Sequence, residues 1–561
     1  MARFNQRGTR PAVHSPVTTT GETTRTHEGA TGYVRDAKSE VFLLAVSNFV
    51  GADTFYEKAG DRDDRYTQLV RQLAVEDPEW AAGLLGWLRG EGNMRSAALV
   101  GAAEFVRARL DAAAVGNLVP DARAENAHGG GWNRQVIDAV LQRADEPGEM
   151  LGYWTSKYGR KLPKPVKRGI ADAVQRLYTE RSLLKYDTDS KGYRFGDVLN
   201  LVHASPDPYK SWQGDLFKYA LDRRHGNADE VPATLRTVGA NRMFRDTARM
   251  HPHVLATPQA LADAGITWED ALSLAGSIPA ASGGKLDKRP VWEAVIPSMG
   301  LMALARNLRN FDEAGVSDEV AAQVCARFAD TEQVAKSRMF PFRWWAAYKH
   351  APSLRWAHAL EQAIGHSLAN VPRLKGSTLI LVDRSPSMFP GYGFSTPNTS
   401  DITLAEQAAV FGSALALRAE KPTLVEFGGG SKKLDVTKGG SVLKHIEAFG
   451  KIDGTDIPSA VKAHWFAHDR IVIVTDEQTR PGWLPSNMER YGGRPEMQID
   501  DLVPKATPVY LWNLAGYKPG AMPSGSSGRH CFGGLTDHAF RMVPMLESAR
   551  DATWPWETKT A

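Results

Sequence analysis

The spacing of hydrophobic residues along the chain changes near residue 371. From residue 36 to residue 366, apolar residues recur every three or four positions, as in the segment EVFLLAVSNFV that starts at Glu40. This period places an apolar stripe along one face of a helix. Polar or Gly/Pro-rich segments separate the helical stretches, and Asp77–Pro78 and Ser317 stand where helices would begin. The pattern predicts an α-solenoid of stacked, HEAT-like helical pairs over residues 31–370.

Beyond residue 371 the apolar residues form short continuous runs instead. The runs at 377–383, 423–427, 470–476 and 507–514 are rich in β-branched residues, which is typical of strands buried on both faces. Helical stretches alternate with them, so an α/β doubly wound, Rossmann-like domain is predicted over residues 371–561. Residues 1–30 are rich in threonine, arginine and glycine and poor in large apolar residues, and they are predicted to be a flexible tail.

Length and composition place the chain among multidomain globular proteins. Its 561 residues are too many for one compact core. No apolar run approaches the roughly 20 residues that span a bilayer, and no secretory signal is apparent. With only 2 cysteines, a disulfide scaffold and a cysteine zinc site are excluded and a cytoplasmic location is expected. The net charge of +4 does not indicate nucleic-acid binding, which must rest on local patches.

Hydroxyl and carboxylate side chains follow the ends of the predicted strands. Asp383, Ser385 and Ser387 leave the first strand as Asp-x-Ser-x-Ser, Thr455 precedes a helix, and Asp476 ends a later strand. Ligands of parallel sheets bind beyond the carboxyl ends of the strands, so these oxygens are expected to meet. Such hard donors suit Mg²⁺, or Mn²⁺, better than zinc. For the Asp-x-Ser-x-Ser segment alone, a simple polar turn is the alternative.

The same residues resemble the metal-ion-dependent adhesion site (MIDAS) of von Willebrand factor A domains. The resemblance implies that Ser385 and Ser387 bind the metal directly, and that Thr455, Asp383 and Asp476 bind it directly or through water. It also implies an open metal position that an acidic residue of a partner can fill.

Two residues do not belong to this pattern. Arg384, inside the loop, could repel the cation or attract an anion. Glu477 adds a further carboxylate beside Asp476.

A basic segment without acidic residues lies between residues 151 and 171. Its cations are Lys157, Arg160, Lys161, Lys164, Lys167 and Arg168, with Tyr153, Trp154 and Tyr158 interleaved. Cations neutralise phosphates and aromatic rings stack on unpaired bases. The segment KYDTDSKGYR, which starts at Lys185, adds further basic residues. A solvated basic surface without a ligand is the alternative.

The helical half resembles the TROVE module of the Ro autoantigen family, of bacterial or phage type. The similar segments are 30–56, 156–178, 195–206, 291–311 and 338–351, and the order of segments and domains agrees. The resemblance implies a ring in which single-stranded ends of misfolded RNA enter a central hole and structured Y RNAs bind a basic outer surface. The RNA contacts that it implies are Arg160, Lys161, Lys164, Lys167, Arg168 and His203.

The hypothesis from sequence is therefore a non-catalytic RNA-binding protein that carries a divalent metal in its A domain. Small noncoding Y-like RNA and misfolded RNA are the expected partners, with an exoribonuclease as a candidate partner and no membrane or DNA specificity. Two alternatives stay open. One is a metal-dependent adaptor that grips an acidic partner. The other is a metal-dependent nuclease or phosphatase, although the site is rich in hydroxyls rather than carboxylates.

Overall fold

Two units divide the chain, and neither is a continuous stretch of sequence. The computed structural model describes residues 13–47, 53–116, 131–279, 286–351, 353–369, 371–389, 402–438, 440–483, 496–535, 537–548 and 550–557. One unit, here the sheet unit, comprises residues 1–69, 339–349 and 361–561. The other, the helical unit, comprises residues 70–338 and 350–360. This division differs from the predicted domains, because residues up to 69 group with the C-terminal sheet.

A β-hairpin lies near the N-terminus. Strand β1 (Thr19–Arg25) pairs antiparallel with β2 (Thr31–Arg35). The backbones of Tyr33 and Gly520 exchange two hydrogen bonds of 3.0 Å, and Val17 is fully buried. The structure therefore differs from the predicted flexible tail where it describes this segment, from residue 13 onward. The polar side chains of β1 are exposed, and it is the backbone that fixes the hairpin.

Helices fill the described chain between residues 37 and 367. The first are α1 (Ala37–Ser47), α2 (Ala59–Glu76), α3 (Pro78–Arg89), α4 (Arg95–Ala114), α5 (Trp132–Val140), α6 (Glu146–Tyr158), α7 (Lys164–Leu177), α8 (Glu180–Tyr186), α9 (Phe195–Val202) and α10 (Gln213–His225). They are followed by α11 (Arg236–Met250), α12 (Pro258–Asp263), α13 (Trp268–Ser277), α14 (Arg289–Val295), α15 (Leu301–Arg306), α16 (Leu308–Glu313), α17 (Asp318–Phe328), α18 (Thr331–Ser337), α19 (Pro341–Lys349) and α20 (Ala357–Ser367).

The predicted helix starts agree with the structure. The Asp77 carboxylate accepts the backbone N–H of Trp80 at 3.1 Å and Pro78 opens α3, which is the expected cap with proline in the first turn. Ser317 precedes α17, although its side chain makes no cap bond. In the helical unit successive helices pack on each other, α3 on α4, α5 on α7 and α9 on α10, as the amphipathic pattern predicts.

The C-terminal sheet has six strands. The strands and helices from residue 374 onward are β3 (Leu374–Asp383), α21 (Leu404–Arg418), β4 (Ala419–Phe427), β5 (Ser431–Leu434), α22 (Val442–Glu447), α23 (Ile457–His464), β6 (Arg470–Thr475), β7 (Gly482–Trp483), β8 (Glu496–Met497), α24 (Ile499–Leu502), β9 (Val509–Asn513), β10 (Arg529–Gly533) and α25 (Met542–Glu547). The order is β10-β9-β6-β3-β4-β5, while β7 and β8 form a separate pair. All neighbours in the large sheet are parallel except the edge strand β5.

Counted along the chain, this sheet has the strand order 3-2-1-4-5-6 of doubly wound folds. The predicted fold class, a helical array followed by an α/β domain, is confirmed. The order reverses between β3 and β6, and ligands of such sheets bind in the crevice at that point, beyond the carboxyl ends of the strands. In the described residues no helix is both long and apolar enough to cross a membrane.

Candidate metal centre and nucleic-acid interface

The predicted aspartate-serine-serine loop lies at the point where the strand order reverses. Asp383 is the last residue of β3, and Asp476 follows β6, which runs beside β3 with Val382 opposite Val474. Both carboxylates are fully buried. The sheet register therefore brings together two residues that lie 93 positions apart in the sequence.

Hydrogen bonds hold the loop in one conformation. The N–H of Ser385 donates to Oδ1 of Asp383 at 2.9 Å, and the hydroxyls of Ser385 and Ser387 are 3.1 Å apart. Thr475, which sequence reasoning missed, donates its hydroxyl to Oδ2 of Asp383 at 2.5 Å. The sequence contained a signal for Thr475, because it directly precedes Asp476 at the end of the predicted strand. A hydroxyl at that position can reach the end of the adjacent strand β3.

A glycine-rich turn brings Thr455 to the same edge of the sheet. The N–H of Asp456 donates to the carbonyl of Gly428 at 2.8 Å, directly after β4. A β-carbon on Gly428 would stand 2.8 Å from the carbonyl oxygen of Gly454, so only glycine permits this approach. Thr455 is buried, and its carbonyl accepts the N–H of Arg480 at 2.8 Å. The glycine segment that follows β4 thus positions a candidate ligand.

Burial gives the two carboxylates an unfavourable electrostatic environment. Burial and the nearby charge of Asp383 raise the pKa of Asp476 to about 7. Burial also raises the pKa of Asp383, against the hydrogen bonds from Ser385 and Thr475. The charge of Arg384 partly offsets this effect at Asp383, but two buried like charges remain costly.

The chemistry of the donors fits a divalent cation. Oδ2 of Asp476 is buried and accepts no hydrogen bond from any described residue. A cation held by Asp383, Asp476, Ser385 and Ser387, with Thr455 nearby, would neutralise both carboxylates and use this oxygen. The described residues contain no group of three or more histidine, cysteine, aspartate or glutamate side chains that could hold a metal, so this site would combine two carboxylates with hydroxyl ligands.

Arg384 is a structural residue rather than a charge facing the metal site. Its Nε donates to the carbonyl of Gly450 at 2.6 Å and its Nη1 to that of Ala405 at 2.5 Å. Its guanidinium also lies over the rings of Phe389 and Phe449, at 5.0 and 5.5 Å from the centroids. The side chain thus connects neighbouring loops, while its charge still favours the ionised form of Asp383.

Glu477 is also used structurally. Its carboxylate forms a buried ion pair with Arg35 of β2 and accepts hydrogen bonds from Asn513 at 2.6 Å and from the N–H of Ala521 at 2.8 Å. Glu477 adopts a φ of +69°, a strained conformation for a residue with a side chain. This extra carboxylate ties the N-terminal hairpin to the sheet.

An aromatic residue from the N-terminal part of the sheet unit reaches the metal site. The hydroxyl of Tyr56 donates to Glu28 and is hydrogen-bonded to Ser387. Its ring stacks on His27 at 4.6 Å and meets Tyr517 edge-on at 5.4 Å. Burial, the bond to Glu28 and the charge of Asp476 raise the pKa of Tyr56. Sequence reasoning missed this residue, because a long-range contact of this kind has no local signal.

The predicted RNA contacts lie on α7 and the loop before it, with one exception. Arg160, Lys161, Lys164 and Arg168 are exposed and Lys167 is half-buried. Within the described residues, none of these five cations pairs with a carboxylate. His203 is an exposed residue that ends α9 in a left-handed conformation, with φ +57°. We call the five cations the α7 basic surface.

The aromatic and basic residues around this surface are already engaged. Trp154 is buried, and the hydroxyls of Tyr153 and Tyr158 donate to Glu104 at 2.7 and 2.6 Å. Lys157 pairs with Glu104 at 3.0 Å. The expectation that these three rings stack on bases is therefore corrected, because they pack in the helical unit or hold a buried carboxylate.

Two cations of the second basic segment are likewise paired with carboxylates. Lys191 pairs with Asp145 at 3.3 Å, and Arg194 pairs with Asp187 and Asp189 at 2.8 and 2.7 Å. Lys185 of the same segment is exposed and lies over the ring of Tyr186 at 5.1 Å, so it remains available beside the α7 basic surface.

Comparisons with known proteins agree with this architecture. Residues 265–354 match the model of the TROVE domain family. The crystal structure of the Deinococcus radiodurans Ro (Rsr) protein matches with a TM-score of 0.57 at 17% identity, covering 91% of this chain and 98% of that chain. The chain therefore has the fold of that Ro protein. No curated protein matches the sequence significantly.

Proposed function

We propose that this protein is a non-catalytic, Ro-type RNA-binding protein of the cytoplasm. Its ligands are small noncoding, Y-like RNA and the single-stranded ends of misfolded RNA, and its role is RNA quality control or scaffolding with an exoribonuclease as partner. The observation that carries the proposal is the α7 basic surface, whose five cations have no carboxylate partner among the described residues. The TROVE match and the Ro fold supply the class of ligand.

Uncompensated cations of this kind are suited to phosphate. Each phosphate contact releases condensed counterions, so RNA affinity should fall as salt rises. Local carboxylates would compete with phosphate for the cations, as they do at Lys157 and Lys191. The α7 basic surface lacks such competition from the described chain.

The test is RNA binding measured by fluorescence anisotropy over a range of salt concentrations. The probe is a structured RNA with a single-stranded end. Replacing Lys164, Lys167 and Arg168 by glutamate should weaken binding strongly and reduce the salt slope by about two, since a single strand contributes roughly 0.7 per phosphate contact. The matched control reverses Lys218 and Lys336, two exposed cations that already pair with Asp222 and Glu332. No salt-sensitive binding by the wild type would refute the proposal.

The proposed cofactor is Mg²⁺, with Mn²⁺ as the alternative ion, at Asp383, Ser385, Ser387, Thr455 and Asp476. The orphaned Oδ2 of Asp476 and the proximity of two buried carboxylates support it. The ion would then act mainly to stabilise the sheet unit.

The adaptor hypothesis has less support. A partner's acidic residue would have to approach Ser387 and Asp476, where Tyr56 of the same chain is hydrogen-bonded to Ser387 and to Glu28. The nuclease or phosphatase hypothesis also has less support, since both carboxylates of the site, Asp383 and Asp476, are fully buried.

A further inference from the structure

The loop between α9 and α10 is held rigidly although it lies at the surface. Gln213, which is fully buried, accepts the N–H of Asp207 at 2.7 Å through its side-chain oxygen. Its amide nitrogen donates to the carbonyls of Gln175 and Tyr178 at 2.9 and 3.3 Å. One buried amide therefore joins the loop to the end of α7.

Two further bonds attach the same loop to Gln175 of α7. The amide of Gln175 donates to the carbonyl of Ser205 at 2.9 Å, and Nζ of Lys210 donates to the carbonyl of Gln175 at 3.0 Å. Pro206 and Pro208 lie between these anchors, and proline restricts the backbone further. The loop is thus fixed on both sides of its tip.

The residue that this loop displays is a tyrosine. Tyr209 is 96% exposed, and its N–H donates to Oδ1 of Asp207 at 3.0 Å. A large aromatic ring that a rigid loop exposes to solvent contributes little to the core. Part of the conformational entropy that ligand binding would cost has already been lost on folding. Pre-organised aromatic residues of this kind are favourable binding positions.

The α7 basic surface and this loop share one side of α7. Lys164, Arg168 and Gln175 are spaced 4 and 7 residues apart, so they lie on one face of the helix. At 1.5 Å per residue, Gln175 lies about 10 Å along the axis from Arg168. A few nucleotides of a single strand can bridge that distance. His203 belongs to the same loop.

We propose that Tyr209 is a stacking platform for an unpaired base of an RNA strand whose neighbouring phosphates lie on the α7 basic surface. The inference rests on the proposed RNA-binding function. It adds an uncharged residue, Tyr209, to the cations that would bind the RNA. Cations supply affinity for any phosphate chain, whereas a stacked ring requires a base that is free of pairing. Tyr209 would therefore make the surface selective for single-stranded ends over duplex.

The test uses the full-length protein and a single-stranded RNA oligonucleotide that contains the fluorescent base 2-aminopurine. Tyr209→Ala should weaken binding of this strand by between about five- and a hundred-fold, the range for loss of one stacked base. Tyr209→Phe should retain binding, and quenching of 2-aminopurine should be present in the wild type and absent in Tyr209→Ala. The salt slope should be unchanged, since no cation is removed. Phe466→Ala, at another exposed aromatic residue (78% exposed), is the control and should bind as the wild type does.

The outcomes separate the two proposals. If the wild type binds RNA with the expected salt dependence but Tyr209→Ala binds equally well, the stacking role is wrong and the RNA-binding function stands. Equal loss of single-stranded and fully duplex RNA in Tyr209→Ala also overturns the role, because stacking needs an unpaired base. If the wild type binds no RNA, both proposals are refuted.

Discussion

The candidate metal centre and the α7 basic surface differ in where their charges lie. In the metal centre two like charges are buried and come from strand ends far apart in the sequence. On the α7 basic surface five like charges are close together in the sequence, and most are exposed. Buried charges must be balanced within the fold or by a bound ion, because removal from water is costly. Exposed charges are screened by solvent and can remain uncompensated until a ligand arrives. Mutations in the first region should therefore change stability, and those in the second should change binding.

The largest effect is expected where a buried ion pair of the sheet unit is broken. Arg35→Met leaves the carboxylate of Glu477 without its cation in a buried site. The free energy of unfolding should fall by about 3–5 kcal/mol, measured by urea denaturation with the sheet-unit transition followed separately. The double variant Arg35→Met, Glu477→Gln should recover part of the loss. If the unfolding free energy of Arg35→Met falls by less than about 1 kcal/mol, as for a typical surface ion pair, the carboxylate of Glu477 is solvated.

A buried histidine should make the sheet unit sensitive to acid. Burial and the charge of Arg529 lower the pKa of His530 to about 4, and its Nδ1 lies 2.9 Å from the hydroxyl of Ser15. The folded state therefore keeps His530 neutral, while the unfolded state takes up a proton below its ordinary pKa of about 6.5. Stability that is present above pH 6.5 is lost as the pH falls from about 6.5 to about 4, by at most about 3 kcal/mol.

The variant His530→Gln should lack this part of the pH dependence. The measurement compares the unfolding free energies of variant and wild type between pH 4 and pH 7. His203→Gln, on the exposed end of α9, is the matched control and should follow the wild type. Parallel curves for wild type and His530→Gln would contradict the buried, neutral state of His530.

Metal binding should stabilise the sheet unit and depend on both buried carboxylates. At a Mg²⁺ concentration about 100 times Kd, the wild type should gain about 2.7 kcal/mol, seen as a higher Tm that EDTA reverses. Asp476→Asn should lose this response. Without Mg²⁺ it should be at least as stable as the wild type, because one of two neighbouring buried charges has been removed. Asp189→Asn, at an exposed carboxylate (94% exposed), is the control. Equal Mg²⁺ stabilisation of Asp476→Asn and wild type would refute the site.

Sequence reasoning identified elements with a strong hydrophobic period and missed those held by polar contacts. The continuous apolar runs of β3, β6 and β9 were predicted close to their observed bounds. Strand β10 was missed because it begins with Arg529 and His530, which are buried through bonds to Asp500 and Ser15. The N-terminal hairpin was missed for the same reason, since its partners lie hundreds of residues away. Local patterns do not contain such pairings.

The candidate sites show the same limit. Asp383, Ser385, Ser387 and Asp476 were found because the strand ends of a parallel sheet converge by topology. The roles of Arg384 and Tyr56 depend on tertiary contacts, so they could not be predicted from the sequence. The α7 cations were found as a cluster, but their lack of partners, in contrast to Lys157, could be seen only in the structure.

The smallest effect on stability is expected on the α7 basic surface. Lys164 is the first residue of α7, and Lys167 and Arg168 follow within the next turn. Cations at the start of a helix are opposed by the helix dipole, whereas carboxylates there are favoured by it. Replacing all three by glutamate should therefore change the unfolding free energy by no more than about 0.5 kcal/mol, and in the stabilising direction. Urea denaturation of this variant beside Arg35→Met measures the contrast directly. If the charge reversal lowers stability by several kcal/mol, these cations serve the fold. If stability is kept while RNA affinity is lost, the three cations serve ligand binding, although their position at the start of the helix is unfavourable for stability.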